Sequence, residues 1–199
     1  MRQCKPKNCR VCKNTFQPMN SLQYACSPKC ALTATREKEA LRVARELKIA
    51  ERQRKGALRA RREALKSRSQ WIKETQAVFN KWVRLRDEKA GLPCISCGTF
   101  NPKHTGKGGA WDAGHFLSRG AFPELRFEPT NCWRQCKKCN NFRSGNFTNY
   151  RKSLLLLIGE DKVATLEGPH PPKKYTIDDL KQIKSDYKKK IKELESAGI

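Results

Sequence analysis

Ten cysteines stand in this chain, and eight of them fall into four close pairs: Cys9-x2-Cys12, Cys26-x3-Cys30, Cys94-x2-Cys97 and Cys136-x2-Cys139. A two-residue spacer lets two thiolates converge on one ion from a tight knuckle, and two such pairs complete a tetrahedron. The spacing therefore predicts two structural zinc sites, one on Cys9, Cys12, Cys26 and Cys30 and the other on Cys94, Cys97, Cys136 and Cys139. The N-terminal residues Met1-Arg2-Gln3-Cys4-Lys5 lack the apolar region of an export signal. A cytoplasmic location is expected, where cysteines at this density ligate metal and seldom persist as disulfides. Cys4 and Cys132 are left over. Cys132 reads as a strand or core cysteine, and Cys4 is a rival to Cys9 for the first ion.

Metal has to do much of the folding, because little else can. Only 37% of the 199 residues are hydrophobic, and the longest apolar run, Leu154 to Ile158, is far too short to span a membrane. Lys and Arg number 43 against 19 Asp and Glu, a net charge of +24. Residues 1–30, 31–90 and 91–199 carry +6, +10 and +8, so the charge covers the whole chain. Such a balance calls for a polyanionic partner.

The chain reads as α+β, mostly helical, in four parts. Residues 1–30 form a zinc knuckle too small for a core of its own. Residues 31–90 are a basic helical segment. Residues 31–69 hold no proline and one glycine, Gly56, and predict one long helix, bent near that glycine. Its sparse apolar residues keep no heptad. With 13 basic against five acidic residues between Arg36 and Arg68, it reads as a rod lying along DNA, with Arg54, Arg59, Arg61 and Arg62 as candidate contacts. Trp71, Thr75, Val78, Trp82 and Leu85 recur at helical spacing and predict a second, amphipathic helix that seats on the next part. Residues 91–168 are a zinc-supported module ending in short helices, with Gly159 and Gly168 as stops. Residues 169–199 hold a final helix, Thr176 to Leu194, opened by a Thr176–Asp179 capping box. His104 begins a flexible loop without the spacing of a phosphate-binding loop.

Between the last two cysteine knuckles the chain reads Trp111-Asp112-Ala113-Gly114-His115-Phe116, then Asn131-Cys132, and Asn140 follows the final cysteine. A strand bearing a histidine, then an asparagine, then a Cys pair opening a helix resembles the HNH, or ββα-metal, nuclease motif. Asn140 stands where that motif usually has histidine. In this reading His115 takes the proton of the attacking water. Asp112 and the side-chain oxygen of Asn140 are candidate ligands for a catalytic Mg or Mn ion. On a flat strand Asp112 and His115 face opposite ways, and a bulge or turn at Ala113-Gly114 could bring them together. Asn131 ties the loop that aims His115, and Arg119, Arg126 or Arg143 holds phosphate.

Asp112-Ala113-Gly114-His115-Phe116, Leu125-Arg126-Phe127, Asn131, Gln135-Cys136-x2-Cys139-Asn140 and Ser144-Gly145-Asn146 together resemble the phage NinG (Rap) recombination proteins. The N-terminal knuckles and the basic helix fit as well, so the resemblance covers nearly the whole chain. It implies a structure-specific endonuclease acting on branched DNA, such as Holliday junctions and D-loops, in the cytoplasm of a phage host. A homodimer and contacts with host or phage recombination proteins belong to the same expectation. Two other readings fit the charge and the zinc sites: a non-catalytic DNA-binding recombination mediator, and a basic RNA-binding protein.

Overall fold

The computed structural model describes residues 4–103 and 109–196, so His104 lies outside the described residues. The chain divides into two compact units, one up to Leu65 and one from Lys66 onward.

The first unit is a cysteine-bearing hairpin continued by one helix. Strands β1 (Lys7–Asn8) and β2 (Thr15–Phe16) pair antiparallel, with Lys7 opposite Phe16. Helix α1 runs from Pro28 to Ala64. Ser27 caps it by accepting the Cys30 N–H at 3.3 Å, and Pro28 occupies the first turn, where its missing N–H costs nothing. The helix continues through Gly56, and none of its residues is buried. It stops at Ala64, short of the expected position 69. The cause is local: Ser67 and Gln70 form a reciprocal capping box that starts a new helix.

That helix, α2 (Arg68–Lys89), belongs to the second unit. Strands β3 (Trp111–His115) and β4 (Cys132–Cys136) pair antiparallel in that unit, and α3 (Lys137–Phe142) follows β4 directly. Helices α4 (Phe147–Ile158) and α5 (Glu160–Glu167) come next, and α6 (Ile177–Ser196) closes the unit. The Thr176–Asp179 box opens α6, each residue's backbone N–H bonding the other's side chain.

Two apolar clusters cover the two faces of the β3–β4 pair. Trp71, Phe79, Trp82 and Val83 of α2 pack with Leu180, Tyr187 and Ile191 of α6 against Ala113 and Cys132. Tyr150, Leu154, Val163 and Leu166 of α4 and α5 pack with Phe116 and Leu125 on the other side. Buried polar bonds fix the assembly. Asp87 of α2 is buried and accepts the backbone N–H of Arg134 at 2.6 Å. Arg86 lies against the rings of Trp82 and Trp133 and donates to the carbonyls of Pro129 and Cys132. Among the described residues, no helix is long and apolar enough to cross a membrane.

Candidate functional site

Two cysteine clusters can hold metal ions such as zinc. The sulfurs of Cys9, Cys12, Cys26 and Cys30 lie within 4.8 Å of one another, and so do those of Cys94, Cys97, Cys136 and Cys139. Sulfur separations of 3.5 Å (Cys12–Cys26), 3.7 Å (Cys26–Cys30) and 3.8 Å (Cys97–Cys136) match the edge of about 3.8 Å for a tetrahedron with Zn–S bonds of about 2.3 Å. Cys4 is outside the first group, and Cys132 is fully buried at the start of β4.

The two knuckles share one backbone design. Cys9 N–H donates to Asn14 and Lys13 N–H donates back to Cys9, just as Cys94 N–H donates to Thr99 and Gly98 N–H to Cys94. Lys13 and Gly98 both sit at positive φ, 65° and 70°. Glycine takes that conformation freely and lysine does not. Backbone amides also point at the sulfurs: Cys26 N–H toward Cys9 and Cys136 N–H toward Cys94. The Cys26 amide and a second one from Cys12 hold the Cys9 thiol down at about 6, while burial pushes Cys94 up to about 11.

Next to the second cluster is a cavity of about 520 Å³ lined by His115, Ser118, Arg119, Gly120, Arg126 and Asn140. β3 pairs with β4 residue for residue and has no bulge. Asp112 and His115 therefore leave the strand on opposite faces, and the bulge that could bring them together is absent. Asp112 instead meets α3, accepting from Asn140 at 3.0 Å and from Asn141 at 3.2 Å. Asn140 thus bridges Asp112 and the cavity, with its amide nitrogen on the carboxylate and its oxygen available for another partner. Arg143 is exposed just past α3 and does not line the cavity.

His115 is held from both ends. Nε2 is 3.0 Å from the Arg126 carbonyl, which can only accept, so Nε2 carries the proton. Nδ1 faces the Cys132 sulfur at 3.5 Å. Full burial pushes the Cys132 thiol well up, so it stays protonated and acts as the donor. Burial, helped by the Arg119 and Arg126 guanidiniums, pushes His115 down to about 4, and the ring is neutral at physiological pH. Asn131 is fully buried and spans the loop after β3. Its side chain accepts from Leu117 N–H at 2.8 Å and donates to the carbonyls of Leu117 and Leu125.

Arg126 reaches the Gln76 side chain and the Arg119 carbonyl, and burial together with neighbouring Arg119 lowers its pKa. Two guanidiniums thus face a cavity whose described lining has no carboxylate, an environment that favours an anion. The sequence reading did not find several residues that hold this site. Gln135 is buried beneath Gly114, and its amide donates to Ser96 and to the Gly145 carbonyl, each at 2.6 Å. Tyr150 donates to the Gly114 carbonyl at 2.9 Å. Strand alternation could have flagged Gln135, but nothing local marks Tyr150. Of the predicted helix contacts, Arg54, Arg59, Arg61 and Arg62 are all exposed on α1.

The family model described as "Bacteriophage Lambda NinG protein" matches residues 1–197. Protein ninG of Escherichia phage lambda is 38% identical over 207 residues, covering 98% of this chain and 94% of that protein. Protein ninG of Salmonella phage P22 is 38% identical over 204 residues (97% and 93% covered), and that of Escherichia phage 933W is 36% identical over 202 (96% and 94%). No solved structure matches the chain. With a family match over nearly its full length and relatives of the same extent, the chain belongs to the NinG family.

Proposed function

We propose that this protein is a metal-dependent endonuclease of the HNH, or ββα-metal, type that cuts branched DNA intermediates in phage recombination. The observation that carries the reading is the convergence of His115, Arg119, Arg126 and Asn140 on one cavity beside the β3–β4–α3 unit. In the proposed reaction a water oxygen bonds to phosphorus, the P–O3′ bond breaks, and His115 Nδ1 takes the water's proton. For that, Nδ1 exchanges the weak Cys132 thiol for the water, while Nε2–H stays on the Arg126 carbonyl and keeps the ring aimed. Arg119 and Arg126 hold the phosphate. Its negative charge offsets theirs and raises the His115 pKa from about 4 toward the range of an effective base. Asp112 and Asn140 Oδ1 are the residues that would hold a Mg or Mn ion, one carboxylate and one amide oxygen being a donor set such ions accept. Bound there, the ion would supply Lewis-acid charge at the leaving oxygen. The Cys94–Cys139 cluster, closed by four thiolates, scaffolds α3 and has no open position for chemistry.

A second reading, a non-catalytic zinc-dependent DNA-binding recombination protein, is favoured by one observation: both His115 ring nitrogens are already engaged. One experiment separates the two. Wild type and His115→Ala are compared on a four-way junction, a three-stranded junction and a linear duplex, with Mg or Mn. The nuclease reading expects junction cleavage by wild type and a loss of about 100-fold or more in the variant, with binding retained. No cleavage by wild type of any substrate with either metal establishes the second reading. Equal cleavage by His115→Ala removes His115 from the chemistry.

A further inference from the structure

We infer that one face of α1 is a docking surface for the phosphate backbone of duplex DNA, built by Arg45, Lys48, Arg52, Lys55, Arg59 and Arg62. The inference rests on the proposed DNA substrate and adds which residues hold it and in what form. The six cations follow one another at steps of three, four, three, four and three. At about 100° per residue these steps keep all six within a sector of about 100°, and at about 1.5 Å rise they span about 25 Å.

Three observations separate this stripe from an ordinary solvated face. First, α1 buries none of its residues, so the charges serve no internal packing. Second, the helix's ion pairs are Arg42 with Glu39 and Glu46, and Lys55 with Glu51. Among the described residues no carboxylate lies within ion-pair distance of Arg45, Lys48, Arg52, Arg59 or Arg62. Third, like charges at these spacings repel along the helix and destabilise it by a few tenths of a kcal/mol per pair. A ladder of six cations, five of them without an ion-pair partner among the described residues, on one continuous helix complements a polyphosphate strand, whose charges repeat every ~3.4 Å along the duplex axis. The contact reads backbone and not base, so it is sequence-independent.

The same turns of α1 carry an internal control. Arg54 and Arg61, which segment charge alone groups with Arg59 and Arg62 as contacts, are seven residues apart, as are Arg52 and Arg59, but lie on roughly the opposite side of the helix and off the stripe. Arg52→Gln/Arg59→Gln and Arg54→Gln/Arg61→Gln therefore remove the same charge from the same segment, and glutamine keeps the helix propensity. The experiment measures full-length zinc-loaded protein binding a fluorescent duplex of mixed sequence across a salt series, without added Mg or Mn. A duplex RNA and polyglutamate serve as competitors.

The stripe variant is expected to lower the slope of log K against log salt by about 2, at about 0.9 per lost phosphate contact, and to weaken binding at least tenfold at low salt. The opposite-face variant is expected to change the slope by less than half as much. Equal effects of the two variants overturn the inference, as do stronger competition by duplex RNA than by DNA, or competition by polyglutamate that the stripe variant abolishes. Cleavage is not needed for this readout. A stripe-dependent slope in a protein that cuts nothing leaves the inference standing and removes the nuclease reading. Cutting that depends on His115, together with equal slopes, does the reverse.

Discussion

Gly114, the residue before His115, has no room for a side chain. A Cβ built there collides with the Gln135 side-chain oxygen and lies 3.0 Å from Gln135 Cβ. The Gln135 amide cannot swing aside freely, because it is fully buried and tied to Ser96 and the Gly145 carbonyl at 2.6 Å each. Gly114→Ala therefore either overpacks the site, costing about 1–3 kcal/mol, or breaks two buried hydrogen bonds worth about 1 kcal/mol each. We expect a loss of about 2 kcal/mol. Gln135→Ala alone loses the same two bonds and leaves a small void, also about 3 kcal/mol. In the double variant the new methyl fills the space the amide left, and the remaining Cβ contact needs a shift of only a few tenths of an ångström. Its cost should stay at about 3 kcal/mol instead of the additive ~5, a coupling of about 2 kcal/mol. Urea unfolding followed by tryptophan fluorescence reads this directly, since Trp71, Trp82, Trp111 and Trp133 all belong to the second unit. Additive losses, or a Gly114→Ala protein within ~0.5 kcal/mol of wild type, would refute the close-approach argument.

Three further outcomes are expected. Lys13→Gly relieves a left-handed lysine costing about 1 kcal/mol, so it should tighten the first zinc site about fivefold in a chelator competition, whereas Gly98→Ala should weaken the second. The unfolded chain protonates His115 near pH 6.5 but the folded one only at about pH 4. Stability is therefore complete above pH 6.5 and falls by about 3 kcal/mol as pH drops to 4; His115→Gln should flatten that slope in unfolding curves taken across the window. Elemental analysis should give two zinc ions per chain, one in Cys26→Ser, and one in Cys139→Ser.

The elements ruled by local chemistry were legible in the sequence. Cysteine spacing names the two clusters, and the Thr176–Asp179 box marks where α6 begins. The end of α1 was misplaced, although its signal was present: Ser67 with Gln70 is itself a capping box, set in a run of strong helix formers that hides it. The inward face of α2 was only half legible. Trp71, Thr75 and Trp82 follow the helical period, but Gln76 and Asp87 are buried too. Their burial depends on partners distant in sequence, the Arg126 guanidinium and the Arg134 amide, and no local pattern encodes them. The same holds for the candidate site. His115, Asn131 and Asn140 stand out by their order along the chain, and strand alternation alone sets Asp112 and His115 on opposite faces, but whether a bulge undoes that alternation is decided by the pairing of β3 with the distant β4.

Both clusters place two of their sulfurs at the threshold of a helix. Cys26 immediately precedes the Ser27 cap and Cys30 sits in the first turn of α1; Cys136 caps α3 and Cys139 lies within it. Starting a helix is its costly step, because several residues must be fixed before the first hydrogen bond repays them. An ion clamping a residue before the first turn to one inside it would lower that barrier, so metal held by these clusters would nucleate both helices. For α3, at six residues too short to persist alone, this would set whether Asn140 has a defined position at all. For α1 it also sets rotational phase: with Cys30 anchored, the azimuth of every later residue is fixed by helical pitch, and a one-residue insertion between Cys30 and Arg45 would turn the cationic face by about 100° without altering its composition.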